Sequence, residues 1–88
     1  MKLILAILAA DAVEPVSRAL VDAQFSVTQI SSMGGFLRRG STTLVIGVEE
    51  AQVQKALGVV RDVCNPLSKA EGHAATIFVL NANQFVQI

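Results

Sequence analysis

The fold is decided by two strand-like segments around a glycine-bracketed loop, FSVTQISSMGGFLRRGSTTLVIGV at residues 25–48. In the first segment Phe25 and Val27 point to one side while Ser26, Thr28 and Ile30 point to the other, the period-two pattern of a half-buried strand. The second segment, residues 42–48, is rich in β-branched residues. The stretch therefore predicts two strands joined by the loop at residues 33–40.

The segment before this stretch is predicted to be a short amphipathic helix. Asp11 has a side chain suited to an N-cap, Glu14 stands where a capping box places it, and Pro15 falls in the first turn. The core-facing residues recur at spacings of three and four, widened by small residues on one side: Val13, Val16, Ala19, Leu20 and Ala23.

The segment after the stretch, residues 49–64, predicts a second helix. Its apolar stripe consists of Val53, Leu57, Val60 and Cys64. Glu49 and Glu50 lie at the end where the helix dipole favours negative charge, and the helix is expected to stop at Asn65–Pro66. Before it, Gly47 interrupts a strand, which favours close approach of a ligand or another backbone at that point.

Apolar runs at both ends of the chain complete the pattern. Residues 3–8 predict a strand covered on both faces, and residues 75–80 predict a fourth strand. The first run also resembles a secretory signal, but we favour the strand because the sheet would otherwise lack a central partner. The order strand, helix, strand, strand, helix, strand predicts one α+β domain at residues 1–88, a ferredoxin-like βαββαβ fold with two helices on one face of an antiparallel sheet.

Composition limits the partners. Hydrophobic residues make up 52% of the chain and charged residues 16%, an apolar surplus that a subunit interface would bury. Seven basic and seven acidic residues balance, which argues against a DNA or RNA partner, and the first apolar run is too short for membrane insertion. Cys64 is the only cysteine and His73 is the only histidine. We therefore expect no disulfide, no metal site and a cytoplasmic location.

Catalytic residues are not recognisable in the sequence. No motif places a cysteine or serine beside His73, and the carboxylates are all readable as helix caps or solvated helix faces. We therefore expect a protein that is not an enzyme.

The loop is the most informative candidate site. Gly34, Gly35 and Gly40 bracket Phe36, Leu37, Arg38 and Arg39. The Phe36 ring can stack on a base while backbone N–H groups and an arginine hold phosphate. Alternatively, Phe36 and Leu37 pack against a neighbouring subunit. Spacing alone leaves both interpretations open.

The loop together with both chain ends resembles a known family. The pattern Thr28-x4-Met33-Gly-Gly-Phe-Leu-Arg38-x-Gly40-x-Thr42-Thr43, the opening Met1-Lys2-Leu3-Ile4, and the ending at residues 75–80 with Phe85 and Gln87 are similar to the PII-like cyclic di-AMP receptor family, signalling proteins related to nitrogen regulatory protein PII. The resemblance implies a ferredoxin-like homotrimer that binds cyclic di-AMP between subunits, has no catalytic activity and needs no cofactor.

The resemblance also implies a set of ligand-binding residues. Transferred to matching positions, they are Thr28, Gly35, Phe36, Leu37, Arg38, Ser41, Gly47, Phe78 and Gln87. Thr28 and Gly47 would lie near the adenine, Phe36 and Phe78 would form apolar or stacking walls, and Gln87 would reach in from the carboxyl-terminal tail.

The chain departs from the family pattern at three places. The family commonly has arginine at the position of Ser26 and asparagine at that of Ser41, and its long loop before the last strand is cut here to residues 65–73. Two hypotheses follow. One is a trimeric sensor that binds cyclic di-AMP or a related adenine nucleotide and signals to a protein target by loop rearrangement. The other is a trimeric interaction or scaffold protein that has lost cyclic di-AMP binding.

Overall fold

The computed structural model describes residues 1–31, 42–67, 74–84, 86 and 88. These residues form four strands and two helices, with three short 3₁₀ turns. In chain order the elements are β1 (Lys2–Leu8), a 3₁₀ turn (Ala10–Ala12), α1 (Val13–Asp22), β2 (Val27–Ser31), β3 (Thr42–Val48), a 3₁₀ turn (Glu50–Gln52), α2 (Val53–Cys64), a 3₁₀ turn (Asn65–Leu67) and β4 (Ala75–Asn81). The predicted order of elements is confirmed.

The four strands form one antiparallel sheet in the order β2-β3-β1-β4. Strand β1 is central and pairs along its whole length with both neighbours, so that Lys2 lies opposite Val48 on one side and Asn81 on the other. The α+β ferredoxin-like architecture is therefore confirmed.

The core lies between the sheet and both helices. Its largest fully buried side chains come from alternate positions of β1 and β3 and from α1 and α2: Ile4, Leu8, Val16, Leu20, Leu44, Ile46 and Val60. Residues two apart in a strand share a face, so both helices cover the same face of the sheet. The predicted helical stripes point into this core, with Val13 and Leu57 at its margin.

The continuous apolar run of β1 is covered on one face only within the protomer. Ile4, Ala6 and Leu8 are fully buried, whereas Leu3 and the other two residues that alternate with them are only partly buried. Because both helices pack on the same side, cover of the other face depends on a second subunit, and cover on both faces stays a prediction.

Asp11 does not cap α1, contrary to the prediction. A 3₁₀ turn begins before the helix, with the backbone N–H of Ala12 donating to the carbonyl of Ala9 at 2.9 Å. Asp11 lies inside that turn, and no side chain forms a cap hydrogen bond at the start of the turn or of α1. Glu14 forms no capping box with Asp11 and instead pairs with Arg18 one turn along the helix.

The end of α1 is a Schellman motif built on Gln24. The N–H of Phe25 donates to the carbonyl of Leu20 and the N–H of Gln24 to that of Val21, both at 2.9 Å. These are the two hydrogen bonds of that motif, which requires a left-handed residue between them. Gln24 fills this position with a φ of 75°. The motif turns the chain so that Phe25 packs against the core.

Replacing Gln24 with glycine is expected to raise the free energy of unfolding by about 0.5–1 kcal/mol. A left-handed backbone strains a side chain with a Cβ and does not strain glycine. Denaturant titration measures the change. The matched control is Gln54→Gly in the first turn of α2, which should lower the free energy of unfolding by about 0.5–1 kcal/mol because glycine disfavours helix. Equal destabilisation by both changes would contradict the strain at residue 24.

Candidate functional site

The face of the sheet opposite the helices carries side chains in three rows across the strands, which we call the open face. Residues that pair directly between neighbouring strands lie on the same face, so the strand registers show which residues form each row. They are Thr28, Val45, Leu5 and Phe78 in the middle, Ile30, Thr43, Ile7 and Thr76 on one side, and Gly47, Leu3 and Leu80 on the other.

The open face is apolar and accessible in the protomer. Phe78 is 51% exposed, Ile30 49% and Leu80 45%. Together with the partly buried aliphatic side chains of β1 and β3 they form a continuous surface. Contiguous apolar surface of this kind is a feature of interaction sites.

Three of the expected ligand-binding residues belong to the open face, but one protomer does not bring them together. Thr28 pairs with Val45, so Gly47, two residues further along β3, is its diagonal neighbour at about 7–8 Å. Phe78 lies in the row of Thr28 on the opposite edge strand. Three strand spacings separate those two residues, about 14 Å. Thr28 and Gly47 therefore form one half of a site, and Phe78 forms another.

Gly47 leaves open space above its strand. A Cβ placed there would meet only the Met1 sulfur, at 4.0 Å, among the described residues, and this is an ordinary van der Waals contact. Packing against the described residues of the protomer therefore does not require glycine at this position. The prediction that Gly47 admits a close approach from outside agrees with this free space.

Six of the expected site residues lie outside the described residues. They are Gly35, Phe36, Leu37, Arg38, Ser41 and Gln87. Their roles remain predictions from the sequence.

A cleft of about 400 Å³ lies beside Gly47, where the end of α1 and the start of α2 meet the sheet. Ser26 lines it, and so do Phe25 and Lys55. The Lys55 ammonium lies over the Phe25 ring at 5.9 Å from its centroid, within the range of a cation–π contact. Sequence reasoning missed Lys55, because no local pattern indicates which residue of another segment an exposed helix side chain will contact.

A second cleft, of about 360 Å³, lies between α2 and β4 and is lined in part by Cys64. Burial raises the pKa of the Cys64 thiol above its ordinary value, and the Asp11 carboxylate adds to the rise. A thiol held in its protonated form is a poor nucleophile. Cys64 therefore serves as a core residue, as its spacing predicted.

Neither a metal-binding cluster nor a membrane-spanning helix is present in the part of the chain that the structure describes. Within residues 1–31, 42–67 and 74–84, no cluster of three His, Cys, Asp or Glu side chains is placed to hold a metal ion. The helices in those ranges are too short to cross a membrane.

Comparison with known proteins identifies the family and the fold of the chain. The family model of the cyclic-di-AMP receptor matches residues 1–71. The crystal structure of a functionally unknown protein from Pediococcus pentosaceus ATCC 25745 is 30% identical and superposes with a TM-score of 0.80, covering 99% of this chain and 96% of that chain. The structural likeness thus extends through β4, beyond the residues that the family model matches. The chain belongs to the PII-like cyclic-di-AMP receptor family.

Proposed function

We propose that this protein is a signal-transduction receptor, not an enzyme, that binds cyclic di-AMP at the subunit interfaces of a cytoplasmic homotrimer. Each chain contributes one domain, residues 1–88. The bound nucleotide alters the loops around the site, and a protein target reads that change. Membership of the cyclic-di-AMP receptor family supports the ligand.

The main support for binding between subunits is that the expected site residues are divided between two edges of the open face. Thr28 and Gly47 lie toward the β2 edge and Phe78 lies on the β4 edge. A ligand between two subunits would take Thr28 and Gly47 from one copy and Phe78 from the next. The same packing would remove exposed apolar surface from water, which favours association.

One observation favours a second candidate, a trimeric scaffold that no longer binds cyclic di-AMP. Ser26 is exposed and uncharged at a position where the family resemblance implies an arginine. A lost charge-assisted phosphate contact weakens binding by about 1.5–3 kcal/mol, roughly ten- to a hundredfold. The scaffold would keep the open-face interface and use the Phe36 loop to dock a partner.

Calorimetric titration of the purified protein with cyclic di-AMP, cyclic di-GMP, ATP and ADP tests the two candidates. The receptor should release or take up heat with cyclic di-AMP, reach a stoichiometry of one nucleotide per chain, and show a raised melting temperature. Sedimentation equilibrium should report a trimer. If no nucleotide gives heat or thermal stabilisation while the protein remains trimeric, the scaffold is the correct interpretation.

Replacing Phe36 with alanine should weaken cyclic di-AMP binding by about 1–3 kcal/mol, which is the usual contribution of one base stacked on an aromatic ring. The conservative variant Phe36→Tyr keeps the ring and should keep most of the affinity. Calorimetry measures both. Unchanged affinity in Phe36→Ala would remove the loop from the site and favour the alternative, in which the ring packs against another subunit.

A further inference from the structure

We propose that Lys55 supplies a positive charge to a phosphate of the bound nucleotide, from the cleft beside Gly47. This inference rests on the proposed function and extends it to a residue that the family resemblance does not assign.

The cleft connects Lys55 with the expected ligand position. Lys55 belongs to α2 on the helix side of the sheet, whereas Gly47 belongs to the open face, yet both line the same cleft. Ser26 and Phe25 also line it. Its volume of about 400 Å³ falls within the usual range for small-molecule sites. A ligand at Gly47 can therefore extend into the space that Lys55 borders.

Phe25 positions the Lys55 ammonium. The Schellman motif fixes the backbone of Phe25 through its hydrogen bond to Leu20, and the ring packs against the core. The ammonium rests over that ring at 5.9 Å from the centroid. A long, flexible lysine side chain thus has a preferred place at the cleft, which reduces the entropy lost when an anion binds.

Lys55 forms no ion pair with a carboxylate among the described residues. Across those ranges the ion pair found joins Arg18 to Glu14, and the Lys2 amine donates to the Asn81 side chain. Lys55 has its ring contact with Phe25 in place of an ion pair. An ammonium offers three donors to phosphate oxygens.

Glu49 lines the same cleft and opposes the effect of Lys55. Its carboxylate repels an anionic ligand, so removal of its charge should act in the opposite direction from removal of the Lys55 charge. The pair therefore provides two changes in one cleft with expected effects of opposite sign.

Calorimetric titration with cyclic di-AMP tests the inference on the full chain. Lys55→Gln should weaken binding by about tenfold, at the low end for a charged hydrogen bond because Lys55 is exposed. It should also make the affinity less sensitive to salt. Lys55→Arg should retain most of the affinity, and Glu49→Gln should strengthen binding by a few-fold. Melting temperatures should confirm that each variant is folded.

Arg61→Gln is the matched control. Arg61 is an exposed cation on the same helix, but it lines the cleft between α2 and β4. Its loss should leave the affinity nearly unchanged. If wild type binds and Lys55→Gln binds equally well, or if Arg61→Gln weakens binding as much, the Lys55 contact is overturned while the receptor function stands. Absence of binding by wild type to any of the nucleotides overturns both.

Discussion

Replacing Gly47 with valine is expected to weaken cyclic di-AMP binding about tenfold or more while the fold and its stability are kept. The branched side chain would occupy the space that the ligand needs, and overpacking of a close contact costs about 1–3 kcal/mol. Within the protomer the new side chain meets little, because even a Cβ at this position contacts only the Met1 sulfur among the described residues. Valine also favours strand structure where glycine weakens it.

Three measurements distinguish a loss of ligand binding from a loss of folded or assembled protein. Denaturant titration should give a free energy of unfolding within about 1 kcal/mol of wild type, sedimentation should show the same assembly, and calorimetry should show the weakened binding. Gly58→Ala in α2 is the control, because beyond its own helix backbone and chain neighbours the added methyl group has no atom of the described residues within 4 Å. It should raise stability by up to about 1 kcal/mol and leave binding unchanged. Wild-type affinity in Gly47→Val would place the ligand elsewhere.

Replacing Leu5 with aspartate is expected to convert the proposed trimer to a folded monomer. Leu5 lies at the centre of the open face, between Val45 and Phe78. Inside an interface the carboxylate would be buried without a partner, which costs about 3 kcal/mol or more and weakens association over a hundredfold. In the separated protomer this face meets water and the charge remains hydrated. Cyclic di-AMP binding should be lost together with the assembly.

Sedimentation velocity and circular dichroism check this result over a range of concentrations. Gln54→Asp adds the same charge at an exposed position of α2 and should leave the assembly intact. A Leu5→Asp variant that remains trimeric would show that the open face is not the interface. A wild-type protein that is monomeric at all concentrations would contradict the assembly itself.

Much of the fold could be predicted from the sequence because the signals are local. Val27 is partly buried while Ser26 and Thr28 are exposed, as the predicted alternation requires. On α2, the predicted stripe through Val53, Val60 and Cys64 points into the core. Pro66 and its neighbours end α2 as expected, with a 3₁₀ turn after Cys64. These features depend on residues a few positions apart, so periodicity and backbone chemistry suffice to identify them.

The errors and omissions arose where distant or competing interactions decide the structure. Asp11 is a good N-cap residue, but an earlier backbone turn incorporates it. Gln24 adopts a left-handed backbone conformation that glycine prefers, and a glutamine in the sequence does not indicate such a conformation. Lys55 meets Phe25 because the fold brings α2 beside the residues that link α1 to β2. For the site, Thr28, Gly47 and Phe78 were found on one face, but their separation across the sheet depends on strand order, which spacing cannot give.

The central position of β1 has a consequence for synthesis of the chain. Its partner strands are β3 and β4, so the first strand made is the last to be paired on both sides, when Asn81 reaches Lys2. Until then an apolar strand edge remains available to other nascent chains. Such long-range pairing also slows folding, since a large loop must close before the contact stabilises the sheet. We therefore expect the β1–β3 pair to form on the ribosome before the complete sheet, and a chain that has not yet added β4 to be the most prone to aggregation.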